Sequence, residues 1–192
     1  ELLMRHPLAT LAGTFAVVAC FAIFYLTTAF ALGYGTATLG YARETFLSVQ
    51  LGAIGFMAAG ILLAGWWSDM ATPRRVLMIG CILTVGAGFL LGPMMGAGSL
   101  VLIWAFLSLA LFLMGLVYGP LGAFLPGLFP ARVRYTGVSM AFNVGGIIGG
   151  GLAPMAAQML AEAGGLAYVG LYLSAAALIS LLALATLRRP AL

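Results

Sequence analysis

The chain has no lysine, a single histidine and four acidic residues, and charged residues make up 6% of its 192 positions. A water-soluble domain carries roughly a quarter charged residues, so a solvated surface of ordinary extent is excluded. Only two cysteines are present, Cys20 and Cys81, and both lie within long apolar runs. They read as small buried apolar side chains rather than a disulfide or a metal site. The lone histidine, His6, precedes the first apolar run and reads as an interfacial residue rather than a proton carrier. Without a second histidine, a Gly-x-Ser-x-Gly or a His-Glu-x-x-His motif, an intramembrane enzyme has no nucleophile and base to work with. No acid sits well inside an apolar run and no filter-like backbone stretch occurs, which argues against a channel. No catalytic residue, metal site or cofactor is expected. The net charge of +4 is divided among several places rather than gathered on one face, so no nucleic-acid partner is expected either.

What the chain does have is hydrophobic length. Apolar residues make up 64% of it, in runs that read as spans over 9–32, 45–67, 76–94, 100–124, 138–160 and 167–187. Each is close to the ~20 residues that cross a bilayer as a helix. Arg5 precedes the first run, Arg74 and Arg75 separate the second from the third, Arg132 and Arg134 separate the fourth from the fifth, and Arg188 and Arg189 follow the sixth. Basic residues in short loops stay on the cytoplasmic side. Six spans put all four clusters there, with both termini cytoplasmic. The other loops, at 33–35, 40–44, 95–99 and 162–165, hold Arg43, Glu44 and Glu162 with no positive excess. The fold class expected is an all-α membrane protein, a six-helix bundle surrounded by lipid.

The charge pattern also implies two triplets of opposite orientation, 1–95 and 96–192, as in the inverted repeats of transporter halves. The two stretches show no convincing sequence match, so this expectation rests on topology. Gly145, Gly146, Gly149 and Gly150 share one span and put small residues four apart, a spacing that lets helix backbones approach closely. With no strand before them and no lysine after, they read as helix packing, not as a phosphate loop. Pro120 and Pro126 remove backbone hydrogen bonds from the fourth span and allow it to bend. The chain opens on Glu1, from which a piece of something longer is expected.

Two loops carry a family resemblance. One reads Gly65-Trp66-Trp67-Ser68-Asp69-Met70-Ala71-Thr72-Pro73-Arg74-Arg75, and the other Leu128-Phe129-Pro130-Ala131-Arg132-Val133-Arg134-Tyr135-Thr136-Gly137, preceded by Tyr118-Gly119-Pro120. With Tyr25, Thr27, Thr28 and Phe30 and the Gly149–Pro154 run, the whole chain resembles the C-terminal half of a major facilitator superfamily transporter. The second loop is similar in particular to the metabolite:proton symporters. The resemblance implies a bacterial inner membrane location and alternating-access transport of a small organic solute, an organic acid or a compatible solute, coupled to protons. It implies a partner too: an absent N-terminal six-helix half. A second copy of this chain, in a homodimer, is the alternative.

The resemblance further implies that Asp69, Arg74, Arg75, Arg132 and Arg134 form a cytoplasmic gate. The alternative for the arginines is that they only set topology. Met70, Thr72 and Pro73 stand where the family usually has a basic residue, a glycine and a further basic residue, and Gly127 stands where a glutamate is common. This gate is therefore poorer in charge. On the superfamily plan, the substrate cavity candidates are Tyr25, Thr28, Tyr34, Gln50, Ser108, Tyr118 and Asn143. Each has an ordinary alternative, since tyrosines anchor interfaces and hydroxyls bond their own helix. With no ionisable group deep in a span, coupling carboxylates are expected outside this chain.

Overall fold

The computed structural model describes residues 7–187, so Arg5, His6, Arg188 and Arg189 lie outside the described residues. Six helices are long and apolar enough to cross a membrane: α1 (Pro7–Ala37), α2 (Arg43–Met70), α3 (Pro73–Met95), α4 (Leu100–Leu128), α5 (Arg134–Gly164) and α6 (Leu166–Thr186). Among the described residues no strand occurs. The bundle is the all-α membrane fold expected from the six apolar runs.

The helices overrun the expected spans. Gly33, Tyr34 and Gly35, read as loop, are helical in α1, and Arg43, Glu44 and Glu162 lie within helices. The loops shrink accordingly. Between α2 and α3 only Ala71 and Thr72 remain, and α3 starts on an extended Thr72 whose hydroxyl accepts the Arg75 amide, with Pro73 next. That is a favourable cap, because proline's missing N–H costs nothing in a first turn. Between α5 and α6 a single residue, Gly165, turns the chain at φ +74°, which a side chain would resist.

Lipid offers helices no hydrophobic reason to associate, so close packing and hydrogen bonds must hold them. Glycines supply the closeness. At the α2–α4 crossing a Cβ on Gly60 would strike the Phe112 carbonyl, and one on Gly115 would strike that of Met57. At the α3–α6 crossing Gly88 and Gly170 face each other's carbonyls. Ser174 adds a hydrogen bond there, its hydroxyl donating to the Val85 carbonyl at 2.7 Å.

Burial is uneven. The most apolar stretches of α1 and α4 are 61% buried within the bundle, against 22% for α2 and 28% for α5. The buried residues of α2 are Phe46, Gln50, Ala53, Gly60 and Ala64, one narrow stripe at helical spacing. Its remaining faces expose Leu51, Leu62 and Trp66.

Candidate functional site

α1 is not a uniform helix. Over Leu26–Phe30 it widens into a π-helical turn, where the Ala31 amide reaches back to the Leu26 carbonyl. Such a turn disturbs the i→i−4 ladder and needs partners for the carbonyls it disturbs. Gln50 of α2 supplies them: its Nε2 donates to the Thr27 carbonyl at 2.8 Å and to that of Thr28 at 2.9 Å. The hydroxyls of Thr27 and Thr28 turn back onto their own helix, Thr27 to Ile23 and Thr28 to Phe24. Thr28 and Gln50 line an open depression of about 330 Å³ with Leu47, Ser48, Leu51 and Ile54.

The second π-helical turn is in α5, at Ile147–Gly151. It packs on the Val18–Tyr25 stretch of α1, and the turn in α1 packs on the Ala153–Gly164 stretch of α5. The four glycines read from spacing all face α1. A Cβ on Gly145 would meet Thr14 and Val17, and one on Gly149 would lie 2.5 Å from the Val18 carbonyl oxygen. Gly146 lies against the Phe21 ring, and Gly150 lies under the ring of Tyr25. Tyr25, 37% exposed, stands edge-on to Phe24 with ring centres 5.5 Å apart.

The structure therefore brings Tyr25, Thr28 and Gln50 to one stretch of α1 and its neighbours. Tyr34 lies farther along α1, its ring beside Phe30. Tyr118 is exposed at the bend of α4, where Gly119-Pro120 interrupts the helix. Asn143 is exposed on α5, with its amide donating to the Ser139 carbonyl at 2.8 Å. Ser108 is buried on α4, and among the described residues its hydroxyl has no hydrogen-bond partner.

At the end of the bundle where α2 meets α3 and α4 meets α5, the charged residues form no ion pair among the described residues. Among the described residues no ion pair involves Asp69, which is exposed. Arg74 donates instead to the Leu184 carbonyl at 2.8 and 3.0 Å and to that of Ala185 at 3.3 Å. It thus ties the start of α3 to the last turn of α6, whose carbonyls lack helical partners. Arg134 donates to the Pro126 carbonyl at 3.1 Å and the Phe129 carbonyl at 3.4 Å, closing the loop between α4 and α5. Arg75 and Arg132 are exposed. Arg74 and Arg75 line a groove of about 930 Å³ among the ends of α1, α3, α4 and α6.

No protein-family model matches the chain. In an alignment of 189 positions that covers 95% of the chain, it is 40% identical to the inner membrane metabolite transport protein YhjE of Escherichia coli. A putative metabolite transport protein of Haemophilus influenzae is 33% identical over 94% of the chain. The shikimate transporter of E. coli is 32% identical, again over 94%. This chain is homologous to bacterial metabolite transport proteins. It spans less than half the length of these relatives, 42–44% of each.

Two features of this transporter homologue were not anticipated from its sequence. The π-helical turns have no composition signal beyond the Thr27-Thr28 pair and the glycine run. Ser174 and Ser180, which carry no reading from the sequence, both hydrogen-bond to other helices.

Proposed function

We propose that this chain is the C-terminal half of a major facilitator superfamily transporter of the bacterial inner membrane, moving a small organic solute by alternating access with proton coupling. The observation that carries the reading is the alignment of nearly the whole chain with somewhat under half of proteins named for metabolite transport. The solute class is an organic acid or a compatible solute. The arginine-bearing end faces the cytoplasm, as its basic excess favours.

The inverted repeat, with triplets α1–α3 and α4–α6, is supported by the contacts. Exchanging α1 with α4, α2 with α5 and α3 with α6 converts the α2–α4 contact into α5–α1, and α3–α4 into α6–α1. The α3–α6 and α1–α4 contacts map onto themselves. The glycine crossings correspond as well: Gly60 with Gly115 between α2 and α4, and Gly149 with Val18 between α5 and α1. The thinly buried α2 and α5 are the faces left for the remaining half, or for a second copy.

In this reading the solute meets the surface around Tyr25, Thr28 and Gln50 on one side of a cavity, with Tyr34, Ser108, Tyr118 and Asn143 as further contacts. Asp69, Arg75 and Arg132, without an ion pair among the described residues, gate the cytoplasmic end across the cavity, while Arg74 and Arg134 brace it internally. Coupling carboxylates belong to the remaining half.

The test is uptake of labelled shikimate and a panel of organic acids and betaines into proteoliposomes holding the full-length protein. Saturable uptake of one solute, accelerated when the outside is acidified, is expected. Saturable uptake indifferent to the proton gradient removes proton coupling, and no uptake across the panel removes the solute class.

A further inference from the structure

The helical ladder of α1 is interrupted at Val17, where φ is −91° and ψ is −9°. In an unbroken α-helix the Ala19 amide pairs with the Phe15 carbonyl, four residues back. Here both groups go to a side chain of α6. Ser180 Oγ accepts from the Ala19 amide at 2.9 Å and donates to the Phe15 carbonyl at 2.7 Å. Ser180 is fully buried.

This is unusual behaviour for a helical hydroxyl. In an apolar helix a serine or threonine commonly bonds the carbonyl four residues before it, as Thr27, Thr28 and Thr84 do in this bundle. Ser180 reaches across to another helix instead and uses its hydroxyl as donor and acceptor at once. A side chain inserted into the i→i−4 ladder is an established cause of a bend. On another side of the same joint α5 presses in, its Gly145 against Thr14 and Val17 and its Gly149 against Val18. α1 thus has two joints, at Val17 and at Leu26–Phe30, each held by a polar side chain of a neighbour: Ser180 of α6 and Gln50 of α2. Tyr25 closes the short segment between them.

We propose that Ser180 is a positioning residue. Its hydroxyl holds the joint in α1 open and so sets the direction in which the segment carrying Tyr25, Thr28 and Tyr34 runs. The functional consequence rests on the transporter reading above, whereas the geometry does not. Replacing Ser180 with alanine leaves no orphaned group, because the Ala19 amide and the Phe15 carbonyl can then pair directly. The variant is therefore expected to fold with a straighter α1.

The experiment uses the full-length protein with Cys20 and Cys81 replaced by alanine and spin labels at Gly33→Cys and Leu102→Cys, read by pulsed electron spin resonance. Gly33 has no atom near its Cβ direction, and Leu102 is exposed in the first turn of α4. Gly33 stands ~24 Å of helix beyond Val17, so even a small straightening moves it by about 2 Å. Ser180→Ala is expected to shift the distance by about 2 Å or more, and Ser180→Thr, which keeps the hydroxyl, to restore it. Ser180→Val, which matches Ser180→Thr in shape but lacks the hydroxyl, gives the same shift if the alanine variant does not fold. An unchanged distance in Ser180→Ala or Ser180→Val overturns the proposal. Uptake of whichever panel solute the parent transports, measured on the same proteins, separates the two claims. A fall of threefold or more in Ser180→Ala, recovered in Ser180→Thr, is expected. A distance shift with unaltered uptake overturns the positioning role, and a distance shift with no uptake of any panel solute even in the parent overturns the solute class of the transport reading alone.

Discussion

Removing the Gln50 amide tests the most specific contact between α1 and α2. Gln50→Leu preserves the approximate volume and deletes both donors, leaving the Thr27 and Thr28 carbonyls, which now accept from Nε2 at 2.8 and 2.9 Å, without their cross-helix partner. Gln50 is 6% exposed, so water does not readily replace it. Hydrogen bonds between membrane helices are worth about 0.6 kcal/mol on average and about 1.7 at most, so losing both is expected to cost roughly 1–3 kcal/mol. Gln50→Glu is a stricter probe. A carboxylate offers no donor and places charge against two carbonyl oxygens, and even its protonated form donates once. The order expected is wild type, then Gln50→Leu, then Gln50→Glu, by reversible unfolding of the full-length protein in mixed micelles. Leu182→Ala, at a residue 57% exposed on α6, serves as a control expected to stay within about 0.5 kcal/mol of wild type. A Gln50→Leu protein as stable as wild type would refute the reasoning, since the π-helical turn would then need no external partner.

Other perturbations follow from the same geometry. Gly149→Ala puts a Cβ 2.5 Å from the Val18 carbonyl oxygen and is expected to cost about 1–3 kcal/mol in the same unfolding assay. Gly151→Ala, two residues on and facing open space, should leave stability unchanged or slightly raised. Arg74→Ala removes the donors to Leu184 and Ala185, so amide exchange in the last two turns of α6 should quicken while α2 exchanges as before; equal protection in both proteins would exclude the brace. Cys20 and Cys81 are 1% and 0% exposed, so a maleimide should label neither until the protein is unfolded, and labelling of the native protein would contradict their burial.

The number and kind of helices were legible because the bilayer imposes one length and one composition on every span. Helix ends were less so. Glycine, arginine and glutamate at 33–35, 43, 44 and 162 look like loop in a hydropathy reading, yet a backbone emerging from lipid keeps its hydrogen bonds by staying helical. The glycines of α5 announced themselves by spacing, though not the helix they would meet. Gln50 stood out as an amide in an apolar run, but its role in holding a π-helical turn depends on a distortion 22 residues away in the chain. Ser180 was illegible for the same reason, its partners lying 161 and 165 residues away. Pairings of the gate residues could not be read from charge alone, because carbonyls at helix ends compete for arginine as effectively as an exposed carboxylate does.

The central claim, that this bundle is one half of a longer transporter, is tested most directly by the intact mass of the protein as its gene expresses it in the membrane. A mass of roughly twice the 19.8 kDa of this chain is predicted, as its 42–44% share of its relatives' length requires. A mass of 19.8 kDa would contradict the account and turn the exposed faces of α2 and α5 into the interface of a homodimer.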